Sequence, residues 1–189
     1  MTTQIPDRLA YQDDEYLIIS AKGNGLMSPS DFGMKAVTKS TACYRGYDAE
    51  YVCENENLFL TSIELRTGDG HFKNIDGVKP VIDERLNMGK YSALRVRTAF
   101  SGGLLIVMNM KKEMRGIMWP FSFEVVKELL LEEGKVVSAT DHSKKVAAIL
   151  DTLKRDRSIS WNEIEWSFSQ DYDMYYYISL AWSSEFSSK

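Results

Sequence analysis

Short runs of alternating apolar and polar residues, punctuated by glycine, recur along the chain and predict a β-rich fold. Residues 7–11 (DRLAY) and 16–20 (YLIIS) flank the polar turn 12–15 and predict a β-hairpin. Residues 21–40 carry three glycines and little periodicity, and read as a loop with a short helical turn after Ser30. Residues 41–54 alternate and read as strand, with a bulge or bend at Gly46. Residues 58–66 (LFLTSIELR) form the clearest strand of the first half, and 67–89 read as a second loop. In residues 91–100, Leu94, Val96 and Thr98 share one face while Arg95 and Arg97 share the other, the pattern of a half-buried strand. Ser101, Gly102 and Gly103 then read as a turn into the strand 104–109.

Residues 123–140 fit two patterns. Val125, Val126, Leu129 and Leu130 sit at helical spacing, yet LLLEEGKVVSAT also reads as strand, Glu-Gly turn and strand. The next segment is less ambiguous. Val146, Ile149, Leu150 and Leu153 form one apolar stripe opposite Lys144, Lys145, Asp151 and Lys154, and Asp141 is placed to cap this helix. Residues 162–168 and 174–182 read as β-strands.

A length of 189 residues fits one domain, 1–189, with 183–189 reading as a frayed end. With 44% hydrophobic and 26% charged residues, wholesale disorder is excluded. No basic region followed by an apolar run opens the sequence, so no signal peptide is expected. The most apolar stretch, 103–110, is far too short for a membrane helix, so no membrane partner is expected. Cys43 and Cys53 are too few for a disulfide framework or a structural zinc site. They are expected to be reduced thiols of a cytoplasmic protein, with neither cofactor nor metal.

Charge sharpens the picture. The net charge of −4 arises entirely in residues 158–189, which hold five acids and one base together with nine of the 22 aromatics. An acidic, aromatic end argues against nucleic acid, whose phosphates require a basic face.

Two histidines limit the available chemistry. His71, near Asp69 and Asp76 in a glycine-rich stretch, could serve as a general base or metal ligand, although a solvated loop histidine is commoner. His142 stands at a helix start, where a capping role is simpler. Cys43 paired with a histidine would make a nucleophile, but a cysteine within a strand pattern is usually a small core residue. Gly23-Asn24-Gly25 and Ser101-Gly102-Gly103 lack phosphate-loop spacing. Arg45-Gly46-Tyr47 has two readings: the bend aims the planar fork of Arg45 into a cleft, with Tyr47 beside it, or Arg45 makes a structural ion pair. Asp171, Asp173, Tyr175, Tyr176 and Tyr177 form the last candidate. Three consecutive aromatics cannot all face one side of a strand, so at least one is expected outside the core.

Ile5, Pro6, Asp7, Leu9, Tyr11 and Tyr16 fit the pattern IPDxLxY extended to a second tyrosine, and Ser40, Thr41, Ala42, Arg45, Gly46 and Tyr47 fit STAxxRGY. With these stretches the chain resembles an uncharacterised group of small bacterial proteins with no established activity. Tyr44 stands where that group would have Trp. The likeness reaches over about the first 140 residues. It implies a strand, glycine turn and strand at 100–106 and at 129–137, which selects the hairpin for 123–140. The expected fold is α+β and predominantly antiparallel β, a twisted sheet or open barrel with one helix in the C-terminal half. The leading functional expectation is a non-enzymatic protein-binding module with a basic protein partner, in one version an immunity or inhibitor protein of a bacterial toxin system. That version rests on the acidic aromatic end and on the resemblance. The alternatives are a small-ligand-binding barrel using Arg45, and an enzyme centred on Asp69, His71 and Asp76.

Overall fold

A computed structural model describes residues 3–114, 118–156, 164 and 166–177 of the protein. Among the described residues ten strands follow one another: β1 Asp7–Tyr11, β2 Asp14–Asn24, β3 Tyr47–Glu54, β4 Asn57–Arg66, β5 Val81–Asp83, β6 Met88–Tyr91, β7 Val96–Arg97, β8 Ser101–Met110, β9 Phe123–Glu132 and β10 Lys135–Asp141. Helix α1 spans Ser143–Arg155. The fold is α+β and antiparallel-rich, and among the described residues no helix is long and apolar enough to cross a membrane.

The strands run in the order β10-β9-β8-β2-β1-β3-β4 until β10 meets β4 at Lys135 and Asn57, a narrow seam that curls seven strands into a barrel. β6, β5 and β7 extend the sheet from β4, and β1 and β3 pair in parallel. The hairpin between β9 and β10 turns at Glu133 and Gly134, both in the left-handed region, which favours the matching twist of a two-residue loop.

The barrel interior is filled by Leu9, Tyr16, Ile18, Tyr51, Leu60, Ile63, Tyr91, Phe100, Leu104, Ile106 and Leu129, among others. A second apolar layer lies outside β2, β8 and β9, where Ile19, Leu105, Val107 and Val126 are covered by Val146 and Leu150 of α1 and by Tyr172. β8 therefore buries both faces, which explains its unbroken run GLLIV. Each such side chain left bare would forgo about 1.5–3 kcal/mol, so the outer face of β8 is what draws α1 and the segment 166–177 onto the barrel.

Several boundaries differ from the sequence reading. Residues 21–24 and 101–103 are not loop and turn; they extend β2 and β8 and pair with each other. At Gly23 and Gly102 a Cβ would strike the carbonyl oxygen of Ser101 or Lys22 across the ladder, and both residues have φ near +140°. These glycines permit close strand approach rather than reversal. The stretch 67–89 contains β5 and the start of β6; β5 is exposed at every residue, so it gives no alternation to read. Residues 41–46 are irregular, and the strand begins at Tyr47. In residues 91–100 the ladder is confined to Tyr91 and to β7, yet Leu94 and Thr98 are buried while Arg95 and Arg97 are exposed, as the alternation predicts. Met174 and Tyr175 form a turn and Tyr176 and Tyr177 are helical, so this part of 174–182 is not a strand. Residues 162, 163 and 165 and everything after Tyr177, including the predicted frayed end, lie outside the described residues.

Candidate functional site

Gly46 adopts φ +82°, and a Cβ there would collide with the Val37 carbonyl oxygen. This bend turns Arg45 inward, where only 6% of the residue is exposed. Its guanidinium donates two hydrogen bonds to Asp7, at 2.8 Å to Oδ2 and 2.6 Å to Oδ1. Asp7 Oδ1 also accepts the Ala49 backbone N–H at 2.7 Å. The rings of Tyr47 and Tyr177 lie with their centroids 4.5 and 4.4 Å from the guanidinium carbon. Burial opposes the charge on Arg45, but Asp7 outweighs it, so the arginine stays firmly protonated. Tyr177 then bridges two strands. Its hydroxyl accepts the Asp7 N–H at 2.9 Å and donates to the Ile18 carbonyl at 2.7 Å. Burial pushes the Tyr177 hydroxyl far above the ordinary phenol range, so it remains a donor.

This network ties three distant stretches of the chain together. Asp7 and Arg45 come from the segments 5–16 and 40–47, which also touch through the Ile5 N–H to the Ala42 carbonyl at 2.8 Å. Tyr177 arrives 170 residues after Asp7.

The segment before Tyr177 has two further anchors. Glu128 and His142 are buried on the outer face, His142 Nε2 lying 3.2 Å from Glu128 Oε2. The Ser169 N–H donates to both oxygens of Glu128 at 3.0 and 3.1 Å, and Phe168 meets His142 edge-on at 5.0 Å. Further along, Ser20 Oγ donates to the Asp173 carbonyl at 2.8 Å. Between and beyond these anchors, Asp171, Asp173 and Tyr175 face solvent. Tyr175 is 53% exposed, Tyr176 half-buried and Tyr177 buried, so the three consecutive tyrosines do divide between core and surface. Trp119 supports Tyr175 from the side, ring to ring at 5.9 Å, and Asp173 Oδ1 accepts the Tyr175 N–H at 2.7 Å. The result is a small acidic aromatic shoulder held on a fixed backbone.

The other candidates are placed apart from it. His71 and Asp69 are exposed side by side in a local turn, with Nδ1 to Oδ2 at 3.6 Å, and Asp76 sits in the separate turn Ile75 to Val78. Asp69 is held below the usual carboxylate range, chiefly by the His71 N–H. His142 serves Glu128, and Asp141 Oδ1 accepts the Ser143 N–H at 2.8 Å at the start of α1. Cys43 is buried with its thiol 3.2 Å from the Tyr47 carbonyl, Cys53 is half-buried, and the two are not bridged. Burial pushes both thiols up, which makes each a poor nucleophile at neutral pH. A thiol reagent should therefore label Cys53 of the native protein well before Cys43. Equal rates, measured by mass spectrometry of the two peptides, would contradict their burial.

Asp7, Glu128 and Ser20 were missed as partners in the sequence. Asp7 carried a usable signal: it shares the inward face of β1 with Leu9, and a carboxylate there requires a paired cation. Glu128 carried none, because a glutamate in a strand normally faces water.

No family model matches the chain, and neither a curated protein nor a solved structure shows significant similarity to it.

Proposed function

We propose that the chain is a non-enzymatic, cytoplasmic protein-binding module that docks a basic partner on the shoulder formed by Asp171, Asp173 and Tyr175. One observation carries this reading: an exposed tyrosine stands beside two exposed carboxylates on a segment pinned at Glu128, Ser20 and Asp7. Tyrosine contributes large contact area at little entropic cost, and a preorganised backbone has little freedom left to lose on binding. The carboxylates would steer a basic surface toward it. An immunity or inhibitor protein that masks a basic bacterial toxin is the concrete version we favour. Arg45, Tyr47 and Tyr177 support the shoulder from beneath rather than touching the partner, since the arginine fork is engaged by Asp7.

The test is capture from the native host with wild-type protein and the Asp171→Asn/Asp173→Asn variant. A basic protein should bind the wild type, associate more slowly as salt rises, and associate more slowly still with the variant. Because both acids are exposed, the variant should keep its thermal stability to within about 1 kcal/mol. Unchanged association kinetics would defeat the proposal.

A further inference from the structure

His71 and Asp69 have no part in the shoulder, but they line a space of their own. A cleft of about 490 Å³ opens between residues 33–37 and 68–73. Met34, Val37 and Gly68 give it an apolar side, and Lys35, Asp69, His71 and Lys73 supply its charge. Its two walls are fixed to each other. Ala36 forms a β-bridge with Thr67, and the Val37 N–H donates to the Arg66 carbonyl at 2.9 Å. The buried Met34 sulfur accepts the Lys73 N–H at 3.4 Å, and the Tyr91 hydroxyl donates to the Lys73 carbonyl at 2.5 Å. Two glycines shape the gap. At Gly33, where φ is +65°, a Cβ would stand 2.7 Å from Lys73 Nζ, so the glycine makes room for that ammonium. At Gly68 a Cβ would reach Val37 Cγ1 at 3.4 Å, so a longer side chain there would fill the cleft.

The charge of this cleft runs against that of the chain. The protein carries −4 overall, yet here Lys35 and Lys73 stand against Asp69 alone. Neither ammonium is ion-paired or hydrogen-bonded among the described residues. Asp69 is already engaged, its Oδ1 accepting the His71 N–H at 3.0 Å and its Oδ2 lying 3.6 Å from His71 Nδ1. The same Nδ1 donates to the Asp69 carbonyl at 3.1 Å, which leaves Nε2 as the ring nitrogen available to a ligand. Two unengaged ammonium groups and a histidine beside an apolar wall complement a highly charged anion on a small apolar body. A phosphate ester offers three terminal oxygens to such donors. The volume falls within the range of small-molecule sites. We infer that this cleft binds a small phosphate monoester, its phosphate held by Lys35, Lys73 and protonated His71 and its body against Met34 and Val37. The inference is independent of the shoulder at Asp171, Asp173 and Tyr175.

The full chain can be titrated calorimetrically with phenyl phosphate, with phenol as the control lacking the anion and inorganic phosphate as the control lacking the body. Saturable binding at one site is expected for phenyl phosphate, at least about tenfold weaker binding for inorganic phosphate, and none for phenol. Lys35→Gln and Lys73→Gln should each weaken phenyl phosphate by about tenfold, whereas Lys22→Gln, an exposed lysine of β2 outside the cleft, should leave it unaltered. Gly68→Leu should abolish binding. It should keep a melting temperature near that of the wild type, because the position is exposed and its Cβ makes only an ordinary contact. Failure of phenyl phosphate to bind would overturn the inference. So would equal affinity for inorganic phosphate, which leaves the apolar wall no role, or full binding by Gly68→Leu or by both lysine variants, which puts the ligand elsewhere.

Discussion

Replacing Arg45 by methionine should destabilise the protein by about 3–5 kcal/mol, because it strands the Asp7 carboxylate in a site with 2% side-chain exposure. Methionine matches the length of the arginine stem, so lost packing is a minor part of the effect. Chemical denaturation of wild type, Arg45→Met, Asp7→Asn and the double variant would resolve it. The double variant should lose clearly less than the two single changes together, since removing both charges leaves neither unpaired. Strictly additive losses would mean that the pair is not coupled. The same change should loosen the C-terminal segment, because Tyr177 rests on Arg45 and bonds to the Asp7 N–H. Hydrogen exchange at residues 169–177 of Arg45→Met is therefore expected to rise well above that of the barrel strands.

Acid should release the other anchor. Burial alone would raise the Glu128 carboxyl, but the hydrogen bonds at its oxygens, led by those from Ser169 and joined by His142, outweigh it and hold the group below its usual range. The groups that face it and can titrate are His142 at the start of α1 and Tyr172 on the covering segment; its register partners Leu105 of β8 and Thr140 of β10 are uncharged. A carboxyl whose folded value lies below its unfolded value stabilises the fold fully above the ordinary carboxylate range. That stability is lost as pH falls through the lower, folded value. Glu128→Gln should accordingly cost about 1–3 kcal/mol at neutral pH, through weaker acceptance of the Ser169 N–H. The two stability curves should then converge in acid, where the wild-type side chain is also neutral. Parallel curves from neutral to acid pH would assign the cost of the variant to shape alone.

The sequence by itself determined much of the architecture, because local chemistry leaves local marks. Alternation places Leu94, Val96 and Thr98 on one face and Arg95 and Arg97 on the other; Leu94 and Thr98 are buried, Val96 half-buried and both arginines exposed. The stripe at Val146, Ile149, Leu150 and Leu153 marks α1, whereas 123–140 fits helix or hairpin locally and folds as the strand, Glu133-Gly134 turn and strand of β9 and β10. Tyr175 is exposed, but on a turn, so strand alternation is not what puts one of the three consecutive tyrosines outside the core. Tertiary structure alone decided the rest. Gly23 and Gly102 look like turn residues until it is known that they face each other across a ladder. β5, exposed at every residue, leaves no pattern to read. The seam between β4 and β10, the pairing of Asp7 with Arg45 and the insertion of Tyr177 between β1 and β2 join residues far apart in the chain. Such contacts arise from burial: a charge or hydroxyl removed from water must find a partner, and the partner is whichever group the folded chain brings within reach. Composition could announce an acidic, aromatic end. Only the anchors at Glu128, Ser20 and Asp7 decide which of its described side chains hold the barrel and which, Asp171, Asp173 and Tyr175 among them, meet solvent.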